Sequence, residues 1–325
     1  MSKAILIHRQ GGPEEMRWEE VEVLAPGPGE ALIRHTAVGL NFIDVYHRSG
    51  VYPLAKLPSS LGSEGAGVVE AIGSGVQEVK VGDRVAYAGG PIGAYAERRV
   101  LPAARLVVLP PSIEDRQAAA MMLQGMTTQY LLRSTYRVQP GDTILLHAAA
   151  GGVGLIACQW AKHLGATVIG TVGSSAKAEL AKAHGADYVI DYSKENFVAR
   201  VKEITGGKGV PVVYDSVGKD TFEGSLDCLR PRGLMVSFGQ SSGLVPPFNP
   251  VVLSTKGSLF LTRPTLATYT ASRGDLLASA GELFDVVGKG AVKIEINQSY
   301  PLAEAAQAHR DLEARKTTGS TVFLV

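Results

Sequence analysis

The stretch DTILLHAAAGGVGLIACQWAKHLGATVIGTVGSSAKAE, residues 142–179, constrains this chain more than any other. It reads as apolar strand, glycine turn, helix, second strand and the start of a second helix. The alternation continues. TILLHAA, TVIGTV, YVIDY, VPVVYDS, GLMVSFG and SLFLT read as strands, and GLIACQWAKHLG, SAKAELAKAHG, ENFVARVKEITGG and TFEGSLDCLRPRG as helices. Several of the helices end in glycine, the residue that best closes a helix C-terminus. Parallel strands need crossover helices, and such crossovers are right-handed, so residues 142–262 predict a doubly wound parallel α/β sheet.

The flanks follow another rule. Residues 1–120 hold short, partly alternating runs (KAILIHR, MRWEEVEV, EALIRHTAVG, GAGVVEAIG, DRVAYAG, AYAERRVL) divided by GGP, APGPG, GSG and VGD. This is the turn chemistry of small closed or partly open β-barrels. The period then turns helical across PPSIEDRQAAAMMLQGMTTQYLLRSTYRV, a crossing between domains. After Arg263 come ASRGDLLASAGELFDVVGKG and LAEAAQAHRDLEAR as helices, with KIEINQSYPL and STVFLV as strands. The simplest account returns the chain to its first domain. The expected domains are 1–123 with 264–325, and an inserted nucleotide-binding domain at 124–263.

The first turn carries chemistry. Ala150, Gly151, Gly152 and Val153 bring backbone N–H groups at a helix start to a pyrophosphate, and Gly154 lets the helix lie against its strand. A site for NAD usually has an acid about 20 residues on, gripping the ribose 2′-hydroxyl. Here the second strand ends in Gly173, Ser174 and Ser175, with Lys177 a short turn later. A small, uncharged corner beside a lysine suits a 2′-phosphate, which an acid would repel. NADPH is therefore expected over NADH, unless Lys177 is only a solvated helix lysine. Tyr192, after the next strand, either stacks on adenine or reaches the phosphate.

Composition excludes other classes. With net charge +1 and no basic run, nothing favours nucleic acid, and no apolar stretch approaches the ~20 residues of a spanning helix. The apolar part of MSKAILIHRQGG is too short for a secretory signal, so a cytoplasmic protein is expected. Cys158 and Cys228 lack metal spacing and read as small buried hydrophobes. The seven histidines show no metal spacing either. His147 reads as packed or bonded to backbone, and His47 lies near the expected cleft. No metal is expected.

GGPEEMRWEEVEVLAPGPGEALIRHTAVGLNFIDVYHRSGVYP, LGSEGAGVVEAIGSGVQEVKVGDRVAY, HAAAGGVGLIACQWAKHLGATVIGTVGS, VVYDSVG, GLMVSFGQSSG and SLFLTRP together resemble one family over essentially the whole chain. It is the zinc-free quinone oxidoreductases related to zeta-crystallin, within the medium-chain dehydrogenase/reductase superfamily. The resemblance implies a GroES-like catalytic domain with an inserted Rossmann domain. Where zinc alcohol dehydrogenases have an early cysteine ligand this chain has Asn41, and where they have Gly-His-Glu it has Gly62-Ser63-Glu64. Without a Lewis acid, the acceptor must take hydride readily, as quinones and polarised enones do.

The nicotinamide is then expected at the carboxyl ends of the strands, in the cleft between domains. Asn41, placed like a former metal ligand, and Phe42 would wall it. Asp44 is either a polar group of the site or the cap of a short helix. Tyr46 or Tyr52 orients a quinone carbonyl or donates a proton, or each packs with its hydroxyl at the surface. Thr127 matches a cofactor-contacting position of the family. From the strand ends come Ser216 and Val217, then Phe238, Gly239, Gln240 and Ser241, with backbone groups of Phe260, Leu261 and Thr262 for the carboxamide. Arg263 meets a phosphate or an interdomain salt bridge. No general acid stands out. The last strand, in GSLFLTRPTL, leaves an apolar edge, so a homodimer joined edge to edge is expected. Two alternatives share these residues: an NADPH-dependent reductase of enones, alkenals or enoyl thioesters, and a non-catalytic NADPH-binding or RNA-binding protein.

Overall fold

A computed structural model describes residues 2–325. The chain divides into two compact units. One holds 2–126, 270–288 and 294–325, and the other 127–269 and 289–293. The units meet slightly C-terminal of the expected joins at 123/124 and 263/264.

The second unit carries a six-stranded, all-parallel sheet. Its order is Tyr188–Asp191, Thr167–Val172, Thr143–Leu146, Val210–Asp215, Leu229–Ser237 and Phe260–Thr262. Counted along the chain this is 3-2-1-4-5-6, the doubly wound arrangement in which ligands bind where the order reverses. That point lies between Thr143–Leu146 and Val210–Asp215, so the loops after these two strands face the same crevice. Burial holds the layers together. Helix Gly152–His163 buries Leu155, Ile156, Ala157, Cys158, Trp160 and Ala161, each large apolar side chain contributing roughly 2 kcal/mol. On the sheet, Leu145, Ile169, Ile190, Val213 and Met235 lie in one core cluster with Val201 and Leu226.

In the first unit a seven-stranded sheet is built round Glu30–Leu40, which pairs antiparallel with Glu64–Ile72, Arg98–Pro102 and Ser320–Leu324. The C-terminal strand thus returns to the N-terminal part of the chain, with Phe323 opposite Val38. A smaller sheet joins Arg17–Val21, Ser2–Ile7 and Ser59–Ser60.

Three expected elements differ. The helix read through TFEGSLDCLRPRG stops at Cys228, and strand Leu229–Ser237 begins at once. Pro231 cannot continue a helix, and Arg232 has φ 60°. The crossing segment is two helices, Asp115–Ala119 and Met122–Tyr130, followed by a π-helical turn at Leu131–Thr135. KIEINQSYPL forms strand only over Ile296–Pro301.

Candidate active site

In the second unit, the turn after Thr143–Leu146 delivers the chain to helix Gly152–His163. Gly151 is its N-cap and supplies no side-chain cap. The first amides of a helix have no partner within it, so this start suits a phosphate. Gly154 is required by close approach, because a Cβ there would lie 2.3 Å from the Ala148 carbonyl oxygen. Ala148 makes the turn with φ 55°.

At the end of Thr167–Val172, Ser174 caps helix Ser175–Ala183 by accepting from the Lys177 N–H at 3.5 Å. The Tyr192 hydroxyl lies over Gly173, 2.8 Å from where a Cβ would be. Gly173, Ser174, Lys177 and Tyr192 therefore form one corner. The sequence reading missed Lys194, whose Nζ donates to Ser175 Oγ at 2.6 Å and lies 3.6 Å from Asp191. Asp191 ends the third strand. Ser193 hydrogen bonds chiefly hold its carboxyl below the usual range. A pocket beside this corner is lined by Tyr192, Phe197, Val217, Asp220 and Thr221. The last three of its residues follow Val210–Asp215, the strand on the other side of the reversal.

Ser216 and Val217 are stitched to the loop after Leu229–Ser237. Ser241 N–H donates to the Ser216 carbonyl at 3.1 Å, and Ser242 N–H to that of Val217 at 2.9 Å. Gly239 permits this, since a Cβ would fall 2.6 Å from the Ser216 carbonyl oxygen. Arg263 is engaged within its own unit. Its Nη1 donates to the carbonyls of Ser237 at 3.0 Å and Gly239 at 2.8 Å, and its Nη2 to Gln240 Oε1 at 3.1 Å. It locks the Phe238–Ser241 loop in place. Phe260, Leu261 and Thr262 form the sheet's last strand, with Phe260 60% exposed. Thr127 is buried in this unit and bonds Tyr130, whose ring stacks on Tyr269 at 4.5 Å. His147 lies within a buried chain. Its Nδ1 meets Thr171 Oγ1 at 2.8 Å and its Nε2 meets Ser225 Oγ at 2.9 Å, which in turn donates to Asp215. Burial lowers its pKa, so it is a neutral packed histidine, placed in the turn just after Thr143–Leu146 rather than within the strand.

In the first unit, Asn41 caps helix Phe42–Ser49 in a reciprocal capping box with Asp44. Its Nδ2 donates to Glu64 Oε1 at 2.5 Å, and its Oδ1 accepts from Gln124 Nε2 at 3.2 Å. Ser320 Oγ donates to Gln124 Oε1 at 2.6 Å, and the Leu123 N–H to Glu64 Oε2 at 2.7 Å. Asp44 is fully buried. It accepts from the Asn41 N–H at 3.0 Å, Ser63 Oγ at 2.6 Å and Tyr95 Oη at 3.1 Å. The helix-capping reading of Asp44 describes this geometry. Burial pushes its carboxyl up to about 6 against the lowering effect of those donors, and pushes Glu64 up to about 8. Of Asn41, Ser63 and Glu64, Asn41 thus bonds Glu64 directly and is linked to Ser63 through Asp44.

The other face of the helix is aromatic. Phe42 lies 6.2 Å from Tyr46, Tyr46 5.3 Å from Tyr52, and His47 5.8 Å from Tyr52, between ring centroids. Both tyrosines are half-buried. Gln10 holds the turn between them by donating to the carbonyls of His47 at 2.7 Å and Tyr52 at 3.1 Å. The cysteines are buried free thiols, each pushed up to about 12 by burial. Among the described residues, no group of three or more His, Cys, Asp or Glu could hold a metal, and no helix is long and apolar enough to cross a membrane.

Comparison with known proteins agrees with the two-part plan. Residues 27–111 match the family model of the alcohol dehydrogenase GroES-like domain, and 152–273 that of the zinc-binding dehydrogenases. A quinone oxidoreductase of Pseudomonas aeruginosa is 60% identical over the full length of both chains. A 2-haloacrylate reductase from a Burkholderia species is 48% identical over 100% of this chain and 99% of its own. The crystal structure of Escherichia coli quinone oxidoreductase complexed with NADPH superposes with a TM-score of 0.98 at 50% identity, covering 99% of this chain and all of that one.

Proposed function

The chain belongs to the quinone oxidoreductases of the medium-chain dehydrogenase/reductase superfamily, and from that membership we propose that it reduces quinones with NADPH, without zinc. One observation carries the cofactor choice. The corner after the second strand holds Ser174, Lys177 and Tyr192, with Lys194 across from them and no acid at the strand end itself. In this reading the amides of Gly152 and Val153 take the pyrophosphate, Lys177 and Tyr192 take the 2′-phosphate, and the Val217 pocket takes adenine. The Phe238–Ser241 loop and the backbone of Phe260–Thr262 orient the carboxamide, with Thr127 beside it. When bound, NADPH supplies the hydride. With one proton, it converts a quinone to a hydroquinone and leaves NADP⁺.

Asn41 acts as a helix cap and wall, its amide already engaged by Glu64 and Gln124. In this reading a quinone ring lies against the aromatic face of Phe42, Tyr46 and Tyr52, and the Tyr46 and Tyr52 hydroxyls serve its carbonyl or the hydroquinone anion. Rate comes mainly from placement, since the acceptor is electrophilic without a Lewis acid. Zinc independence is supported by Asn41, a poor ligand whose amide hydrogen bonds occupy Glu64.

Two further features belong to this reading. The open side of strand Phe260–Thr262, with Phe260 exposed, is an edge on which a second copy can extend the sheet, giving a homodimer. A cytoplasmic setting suits its two buried, unpaired thiols.

A second reading, reduction of an activated alkene, is favoured by the 48% identity to a 2-haloacrylate reductase. Parallel assays of NADPH oxidation with p-benzoquinone, a naphthoquinone, an enone and 2-chloroacrylate separate the two. Quinone turnover at least ten-fold above the alkenes is expected, about 1.4 kcal/mol in transition-state binding. Alkene turnover above that of every quinone would replace this reading with the second. NADPH binding without turnover of any acceptor would leave a non-catalytic binding protein.

A further inference from the structure

Helix Phe42–Ser49 buries a polar face. Its buried residues are Asp44, Val45 and Arg48, beside the buried cap Asn41, while Phe42 and Tyr46 lie on the half-buried side. An apolar face would seat a short helix at lower cost, because replacing buried ionic groups by well-packed apolar ones is often neutral or stabilising. What an apolar face does not do is fix rotation about the helix axis. Hydrogen bonds do, because they are directional.

The bonds form one continuous chain, and from Arg48 to Asp44 it runs in a single sense. Glu313 accepts from Arg48 Nη1 at 3.0 Å and Nη2 at 2.9 Å. Arg48 Nη1 also lies 3.5 Å from His309 Nδ1. His309 Nε2 lies 3.0 Å from Tyr95 Oη, which donates to Asp44 Oδ2 at 3.1 Å. Ser63 closes on Asp44 Oδ1 from the other side. Tyr95 has one proton and gives it to Asp44, so it accepts from His309 Nε2–H. That leaves His309 Nδ1 as the acceptor facing Arg48. Burial holds His309 neutral, in keeping with this tautomer. Two side chains one helical turn apart, Asp44 and Arg48, are therefore joined through residues of two other segments.

We infer that Tyr95 and His309 are positioning residues for quinone reduction. By bridging Asp44 to Arg48 they fix the rotation of helix Phe42–Ser49 and hence where Tyr46 presents its ring and hydroxyl. This rests on the proposed contact of Tyr46 with the quinone. Neither residue touches substrate. Tyr95 is fully buried, and its ring is also held edge-on to Phe323 at 5.0 Å, so losing the hydroxyl leaves the packing in place.

The test is Tyr95→Phe, with His309→Leu to cut the same link from the other side and His309→Gln to keep both a donor and an acceptor. Thermal unfolding, NADPH binding and steady-state kinetics with p-benzoquinone are recorded for each, with Tyr46→Phe alongside. Expected for Tyr95→Phe and His309→Leu is a fall of about ten-fold in kcat/KM for quinone, short of the ~100-fold that a 1 Å misplacement can cost. NADPH affinity stays at the wild-type value, and His309→Gln recovers most of the loss. Where Tyr95→Phe does not fold, His309→Leu gives the same reading. A folded variant with wild-type quinone kcat/KM, at whatever melting temperature, overturns the inference, since a merely structural link would move stability alone. Wild-type protein that does not reduce quinone, or Tyr46→Phe with unchanged kinetics, removes the parent reading and this inference with it. Normal behaviour of those two beside an indifferent Tyr95→Phe overturns the inference only.

Discussion

Helix Gly152–His163 is held by its apolar face, with Trp160 and Leu155 almost wholly buried, and its N-terminus is capped by glycine. Helix Phe42–Ser49 is held by Asp44, Arg48 and a capped N-terminus whose donors are taken up. In the first, oily burial supplies the energy and leaves the amides to a ligand. In the second, the N-terminus is closed and the half-buried aromatic face is the one proposed to receive the quinone. One fold thus offers a binding helix with an open end and a presenting helix with an open side, and each is anchored by whatever its function leaves over.

The largest expected effect breaks the first anchor. Gly154→Val places a side chain on the Ala148 and Ala149 backbone, and overpacking of this kind costs about 3 kcal/mol or more where backbone must move. Calorimetry should show the loss, and titration should show NADPH binding lost with it. A stable variant with intact affinity would mean that the turn has slack.

Arg48→Met tests the second anchor. It removes a guanidinium that is 2% exposed from a carboxylate that is 37% exposed. Because Glu313 can be solvated once freed, the expected loss is about 2 kcal/mol, below the range for a fully buried pair. NADPH affinity should not change, which separates the two helices.

Lys177→Ala sharpens the comparison at the phosphate corner. The expected result is a rise of about ten-fold in Kd for NADPH with NADH unaffected, from the loss of one charge-assisted phosphate contact. Equal weakening of both cofactors would assign Lys177 to another part of the site.

The smallest effect is a slope. Burial raises Glu64 from 4.5 to about 8, so the folded protein holds a proton there that the unfolded chain has given up. Its stabilising contribution is complete below pH 4.5 and is lost as pH rises toward 8. His35 and His309, lowered from 6.5 to about 3 by burial, act oppositely but only below pH 6.5. Between pH 6.5 and 8 the Glu64 effect stands clear of theirs. Wild-type melting temperature should fall over that window, and that of Glu64→Gln should be flatter even if lower throughout.

The two helices also differ in how far their sequence exposes them. The Gly152 turn is legible because everything it needs is local: a strand before, glycines at fixed spacing, an apolar helix after. Gly173, Ser174, Lys177 and Tyr192 could be grouped for a similar reason, since adjacent parallel strands end together. The seating of Phe42–Ser49 was only half visible. The cap spacing from Asn41 to Asp44 can be read, but Ser63, Tyr95 and the His309–Glu313 turn come from three other places in the chain, and nothing local marks Tyr95 or His309 as partners. For Arg263 the hinge position suggested a phosphate or an interdomain salt bridge, and nothing local signalled its hydrogen bonds to the carbonyls of Ser237 and Gly239. Lys194 was missed because its partner Ser175 belongs to a different β-α unit.

The most direct measurement is p-benzoquinone-dependent oxidation of NADPH by protein stripped with a metal chelator and dialysed. The account predicts an undiminished rate that added zinc does not raise, with NADH much slower. Loss of activity on chelation that zinc restores, or equal rates with the two cofactors, would contradict it.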